Sequence, residues 1–251
     1  MDEDAPASGG KLSDKIQSMK DDIISREVRD SLGKAFKKLS GNVAIEVYTQ
    51  AGTNDPFNET AVSFMKALPE LNDKINVIFF RLKDEQAKKR GVKRSPTILI
   101  APDRYNIRYT GSPTGEEAAS FVLALMMAST GKTYLSGDSL KRLEKLKEKR
   151  HVRVFVSPTC PYCPQQVIYA VSAAVAKKEF ISAEVIEIYE KHDLAEKYGA
   201  MSVPATCIGE TLLSTGLQPE DLFIESIVKG KPVEYVMPAG PEEMRDYDIV
   251  T

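Results

Sequence analysis

Apolar residues along the chain fall into short β-type runs and longer helical repeats, and the two kinds alternate twice in the same order. In the first half, Val43-Ala44-Ile45-Glu46-Val47-Tyr48 reads as a strand, followed by a loop and a helical segment from Thr60 to Leu68. A strand from Ile75 to Phe80 precedes a short polar helix, Glu85 to Arg90. Then come Ser95-Pro96-Thr97-Ile98-Leu99-Ile100, a short strand near Ile107-Arg108-Tyr109, Gly111 and a helix from Gly115 to Met127. The second half repeats the series: strand Val152 to Val156, helix Pro164 to Lys177, strand Ala183 to Tyr189 and short helix Asp193 to Tyr198. Val203-Pro204-Ala205-Thr206-Cys207-Ile208 follows, then a short strand near Leu212, Gly216 and a helix from Pro219 to Val228.

Val43 and Val152 are 109 positions apart, and Pro96 and Pro204 are 108 apart. A period this long marks a duplicated domain rather than a solenoid repeat. Each unit reads β-α-β-α-β-β-α, which makes the chain an α/β protein of two tandem units. Residues 11–39 add a long amphipathic stretch with Leu12, Ile16, Met19, Ile23 and Ile24 on one side. Ser139 to Lys149 is a further helical stretch, with Asp138 or Ser139 as its expected N-cap. The expected organisation is a disordered tail at 1–10, a first unit at 11–134, a second at 135–235 and a linker at 236–251.

Cys160-Pro161-Tyr162-Cys163 sits at the junction between a strand and a helix of the second unit. Dithiol chemistry needs this layout. The first thiol lands at a helix N-terminus, where unpaired N–H groups and the helix dipole favour a thiolate. The second lies one turn on, within reach of a disulfide with the first. The chain has three cysteines, too few for a disulfide framework, which leaves a catalytic pair or half of a metal site. A structural zinc needs four N or S ligands. Only Cys207, His151 and His192 could add to the pair, so no metal is expected. A structural bridge closing so short a loop would stabilise little, because the entropy removed scales with loop length. Redox chemistry at Cys160 and Cys163 is the expectation, with Cys207 an inert core thiol.

Composition narrows the setting. The chain is 42% hydrophobic and 28% charged, as globular proteins are, and its net charge of −2 gives no reason to expect nucleic acid as partner. The basic run Lys141 to Arg150 alternates signs at helical spacing and reads as a solvated face. No apolar run has the length of a membrane span, and Met1-Asp2-Glu3-Asp4-Ala5-Pro6 lacks the apolar core of a secretory signal, so a cytoplasmic setting is expected. In the first unit the loop Thr49 to Phe57 holds the equivalent position to the Cys-x-x-Cys without a thiol. It reads as scaffold, with docking of a partner as the alternative.

The element order, the Cys-x-x-Cys after the first core strand and Val203-Pro204 before the third resemble the thioredoxin superfamily. The Pro161-Tyr162 filling is the one seen in glutaredoxins. Two such units in tandem resemble the archaeal and bacterial protein disulfide oxidoreductases. They are also similar to the N-terminal domain of the alkyl hydroperoxide reductase flavoprotein, which keeps one Cys-x-x-Cys and loses the other. The resemblance implies two tandem thioredoxin-like folds, a cis Pro204 facing the disulfide, and a Val203 backbone that pairs with a bound partner chain alongside Pro161 and Tyr162. It also implies Cys160 as attacking thiolate and Cys163 as buried resolving thiol. Thioredoxins carry a buried Asp six residues before the first Cys; here Val154 stands there, as glutaredoxin-type sites allow.

Tyr247-Asp248-Ile249-Val250 is similar to the strand that opens the FAD-binding unit of flavoprotein disulfide reductases. The resemblance therefore implies the electron-shuttling N-terminal part of a thioredoxin-reductase-like fusion. The expected function is a dithiol–disulfide oxidoreductase that binds no cofactor itself. It would take electrons from a flavin reductase using FAD and NAD(P)H, as a fused domain or separate protein. It would deliver them to a client disulfide, for which the resemblance implies a peroxiredoxin. The alternative is a non-catalytic binding module that docks a client through Val203-Pro204.

Overall fold

A computed structural model describes residues 25–233. The expected tail at 1–10, residues 11–24 of the amphipathic stretch, and the expected linker with Tyr247 to Val250 lie outside the described residues. The first unit runs α1 (Arg26–Phe36), β1 (Val43–Thr49), α2 (Asp55–Leu71), β2 (Ile75–Arg81), α3 (Glu85–Lys89), β3 (Thr97–Ile100), β4 (Ile107–Thr110) and α4 (Glu117–Thr130). The second runs α5 (Gly137–Glu144), β5 (Arg150–Val156), α6 (Cys163–Ala176), β6 (Ile181–Glu187), α7 (His192–Tyr198), β7 (Ala205–Ile208), β8 (Thr211–Thr215) and α8 (Glu220–Lys229).

All eight strands form one mixed sheet, in the order β2-β1-β3-β4-β6-β5-β7-β8. Within each unit the first two strands pair parallel and the last two join antiparallel. The units are therefore two tandem thioredoxin-like folds fused edge to edge. The seam is the parallel pair β4–β6, with Tyr109 opposite Val185. Joining here removes one exposed edge from each unit, and such edges invite mispairing. The central strands β1 and β5 are buried along most of their length, as their Val- and Ile-rich sequences require.

Local chemistry sets the helix ends. Ser25 caps α1 by accepting from the Val28 N–H at 3.3 Å. Helix α2 begins at Asp55, five residues ahead of the expected Thr60. Pro56 is suited to a first turn, and Asn54 holds the left-handed conformation with φ 63° before it. The N-cap of α5 is Ser136, not Asp138 or Ser139. The Ser136 backbone is extended and its Oγ accepts from Ser139 N–H at 3.2 Å, while Asp138 already lies in the first turn. Gly131, Gly199 and Gly230 close α4, α7 and α8 with positive φ, which glycine adopts without strain.

Helices α4 and α6 pack against each other across the two units. They run parallel. Glu116 N–H donates to Pro158 O at 2.9 Å near their N-terminal ends, and Ser172 Oγ approaches Met127 Sδ at 3.1 Å further along. This alignment brings the start of α4 level with the start of α6.

Candidate active site

Strand β5 emerges from the core through buried Val154, Phe155 and Val156 into Ser157-Pro158-Thr159, and the chain turns at Cys160. Cys160 N–H donates to Ser157 O at 3.2 Å, and Cys163 N–H to Cys160 O at 3.3 Å, which folds the motif into one tight turn. Cys163 is the first residue of α6. No side chain caps this helix and no acid lies in its first turn, so its positive end faces the turn uncompensated. The two cysteines form a disulfide with Cα atoms 5.5 Å apart. Cys160 keeps 7% of its surface exposed and Cys163 none, so a partner approaching from solvent meets Cys160. Tyr162 stands out at 63% exposure.

The Val203–Pro204 peptide bond is cis. The register pairs Phe155 with Ala205, which puts Pro204 at the end of the sheet from which the Cys160 turn leaves. Met201 and Leu217 expose apolar surface on the adjoining loops. Gly216 N–H donates to Pro204 O at 2.7 Å and ties the Leu217 loop to the cis proline. A surface cavity of about 720 Å³ opens instead at the opposite sheet end, lined by Arg150, His151, Phe180 and Gly230. Disulfide exchange with a protein needs a sulfur within reach of solvent rather than a cavity, which makes the rim of Cys160 the candidate site.

The remaining sequence candidates stay apart from this rim. Cys207 is fully buried on β7 opposite Arg153, and burial pushes its thiol up to about 11. His151 lies at the far end of β5 between Ser182 Oγ (2.5 Å) and Glu184 Oε2 (3.0 Å). His192 starts α7 on the surface beside Glu196. Among the described residues, no three His, Cys, Asp or Glu side chains are arranged to hold a metal ion.

Near this turn, Glu117 escaped sequence reasoning. Glu117, at the start of α4, is only 1% exposed. Its Oε2 accepts from Ser120 Oγ at 2.6 Å, while Oε1 has no hydrogen bond. Burial pushes this carboxyl up to about 7; the Ser120 bond lowers it and the Glu116 charge raises it. The hydrogen bond from Glu116 N–H to Pro158 O sets the first turn of α4, which carries Glu117, beside the segment that leads into the Cys160 turn. A buried carboxyl therefore comes from the other unit, while position 154 on β5 holds valine. An acid in a first helical turn ordinarily reads as a partner for the dipole. The sequence signal for Glu117 is the missing Asp at position 154.

The first unit repeats the scaffold without the sulfur. Ser95–Pro96 is also cis, and Tyr48 pairs with Thr97, so this bond lies at the matching sheet end. In place of thiols, Ser95 Oγ donates to Asn58 Oδ1 at 2.6 Å and accepts from Gln50 N–H at 2.8 Å.

Comparison with known proteins agrees with this geometry. The thioredoxin domain family matches residues 150–229. A probable thioredoxin from Methanothermobacter thermautotrophicus is 38% identical over 80 residues, which are 31% of this chain and 91% of that protein. A Ferdinandcohnia aciditolerans protein named NADH dehydrogenase is 22% identical over 206 residues, 81% of this chain, and an alkyl hydroperoxide reductase protein of Staphylococcus aureus is 24% identical over 147 residues, 58% of this chain. The chain spans 37% and 26% of the lengths of these two relatives. Among solved structures, a protein disulfide oxidoreductase from Aeropyrum pernix superposes with a TM-score of 0.75 at 26% identity, over 84% of this chain and 96% of that one. The N-terminal domain of alkyl hydroperoxide reductase AhpF from Enterococcus faecalis gives 0.73 at 27% identity, over 81% and 99%. The chain belongs to the thioredoxin-fold protein disulfide oxidoreductases. It is a thiol–disulfide oxidoreductase with one dithiol pair, Cys160–Cys163.

Proposed function

We propose that the chain shuttles electron pairs from a flavin-dependent disulfide reductase to a client protein disulfide, with Cys160 as nucleophile and Cys163 as resolving thiol. The supporting observation is the asymmetry of the pair: Cys160, before an uncapped helix N-terminus at the sheet end that holds the cis Val203–Pro204 bond, keeps a small solvent-accessible surface, and Cys163 keeps none.

In the reduced protein the Cys160 thiolate attacks one sulfur of the client disulfide. A Cys160–client bond forms, and the other client sulfur leaves as a thiolate. Cys163 then loses its proton and attacks Cys160. The Cys160–Cys163 bond closes, and the client leaves with two electrons gained and both sulfurs as thiols once protonated. Glu117 takes the proton from Cys163 in this step: its carboxyl is buried, lies in the helical turn hydrogen-bonded to Pro158 through Glu116, and is partly ionised near neutral pH. Tyr162, Met201 and Leu217 give a protein client apolar surface around Cys160, while Pro161, Val203 and Pro204 shape its backbone seat.

A reductase, as a domain or a separate protein, restores the dithiol with electrons from NAD(P)H through FAD. Neither strand-to-helix turn leading into α2 or α6 carries a glycine-rich phosphate cradle, so neither turn fits the pyrophosphate of either dinucleotide. The similarity to the alkyl hydroperoxide reductase proteins supports such a reductase as donor and a peroxiredoxin as client. The dithiol cycle fits a cytoplasmic setting, where thiols are held reduced. No helix among the described residues is long and apolar enough to cross a membrane.

The test is insulin reduction with a dithiol donor. Cys160→Ser abolishes turnover, and Cys163→Ser accumulates a mixed disulfide through Cys160. Wild-type turnover by Cys160→Ser overturns the assignment.

A further inference from the structure

Glu190 lies in the loop between β6 and α7, and the exchange steps above make no use of it. Its side chain is nonetheless 1% exposed. A carboxylate is held out of water only where donors replace the lost hydration. Here Oε1 accepts from Ser112 N–H at 2.6 Å, and Oε2 accepts from Asn54 Nδ2 at 2.8 Å and lies 3.4 Å from Lys191 Nζ. The other charged groups around the loop are committed elsewhere. Glu187 accepts from the Tyr189 and Glu190 N–H groups, and Arg94 pairs with Asp193.

These partners belong to three separate segments. Asn54 precedes α2 in the cysteine-free turn of the first unit. It also donates to Ser95 O at 3.3 Å, and the buried Lys191 Nζ donates to the same oxygen at 2.7 Å. Ser95 O precedes the cis Pro96, as Val203 O precedes the cis Pro204. The second unit thus fills the first unit's cis-proline position from within. Ser112 opens the loop between β4 and α4, and that loop lies directly on the Cys160 turn. Glu116 N–H donates to Pro158 O, and at Gly115 even a Cβ would collide with that oxygen.

We propose that the cysteine-free site of the first unit is a clamp closed by Glu190 and Lys191, and that Glu190, through the loop from Ser112 to Glu116, is a positioning residue for Cys160. The carboxylate fixes one end of that loop, and the Pro158 carbonyl is held by the other. Releasing the first end lets the Cys160 turn drift from the helix N-terminus that favours its thiolate. The first unit is retained without thiols because it sets the geometry of the second unit's thiol.

The proposal rests on Cys160 being the attacking thiol, and the test separates the two. The rate of Cys160 alkylation by iodoacetamide is followed against pH in the reduced full chain, with the adduct located by peptide mass mapping. The variants are Glu190→Gln, Asn54→Ala and a packing control, Ile45→Val. Glu190→Gln is expected to slow Cys160 alkylation at pH 7 about threefold or more and to move the midpoint of the profile upward. Asn54→Ala moves it the same way by less, and Ile45→Val lowers stability and leaves the profile in place. Should Glu190→Gln fail to fold, Asn54→Ala decides. Folded variants with the wild-type profile, or an equal shift in Ile45→Val, overturn the positioning role. A wild-type Cys160 that does not titrate overturns the assignment of the nucleophile itself, and the proposal with it.

Discussion

The backbone N–H of Glu116 donates to the carbonyl oxygen of Pro158 at 2.9 Å, so the first unit is hydrogen-bonded to the turn that carries the second unit's Cys160. One residue earlier, Gly115 has φ +59° and no room for a side chain. Gly115→Ala is expected to cost about 2 kcal/mol or more, from the left-handed backbone and the collision with Pro158. It should also slow insulin reduction, because the collision displaces the Cys160 turn. Thermal unfolding and turnover measured on the same preparation check both effects.

Glu117→Gln removes the buried acid and keeps its shape. Release of client from the mixed disulfide should slow about tenfold or more, with formation of that disulfide less affected. Wild-type release should rise with pH through about 7, where Glu117 ionises, and the variant should lose that inflection. Stopped-flow kinetics of single turnover resolves the two steps.

The same carboxyl sets a stability slope. Its folded pKa, about 7, is raised above the ordinary 4.5, so the native state holds its proton more tightly than the unfolded chain does. Stability is then full below about 4.5 and falls as pH climbs towards 7, by on the order of 3 kcal/mol. Urea midpoints between pH 4.5 and 8 should show this slope in wild type and lack it in Glu117→Gln.

Glu184 has the opposite sign. It lies on the seam between the units, accepting from Thr110 Oγ1 at 2.7 Å and meeting His151 and Arg153. Burial alone would raise its carboxyl, but the His151 and Thr110 bonds, with the charge of Arg108, hold it down at about 2. Its contribution is therefore present above about 4.5 and is lost as pH falls towards 2. Glu184→Gln should cost about 3 kcal/mol at pH 7 and flatten the acid limb of the unfolding curve.

Much of this architecture is legible in the sequence because burial and period coincide there. The runs at Val43 and Val152 read as strands because β-branched residues fill both faces of a covered sheet, and the structure places strands there; the Ile75 run is a strand too, at the sheet edge with Ile78 and Phe79 exposed. Cys160 and Cys163 stand out because the motif is local. What is not legible is what depends on two units meeting. Glu117 and Glu190 look like ordinary surface acids near helix ends, yet both side chains are buried, Glu190 among partners from the first unit. The cap of α5 is misplaced by two or three residues because Ser136, Asp138 and Ser139 are all capping types, and only the backbone angles choose.

The central claim is that one sulfur of the pair meets the partner and the other waits behind it. Competitive labelling of the fully reduced chain with iodoacetamide at pH 7, read peptide by peptide by mass spectrometry, tests it directly. Cys160 should be labelled first and at least tenfold faster than Cys163 or Cys207, because it alone of the three keeps accessible surface and it stands before a helix N-terminus. Equal labelling of the three cysteines, or Cys163 reacting first, would contradict the account.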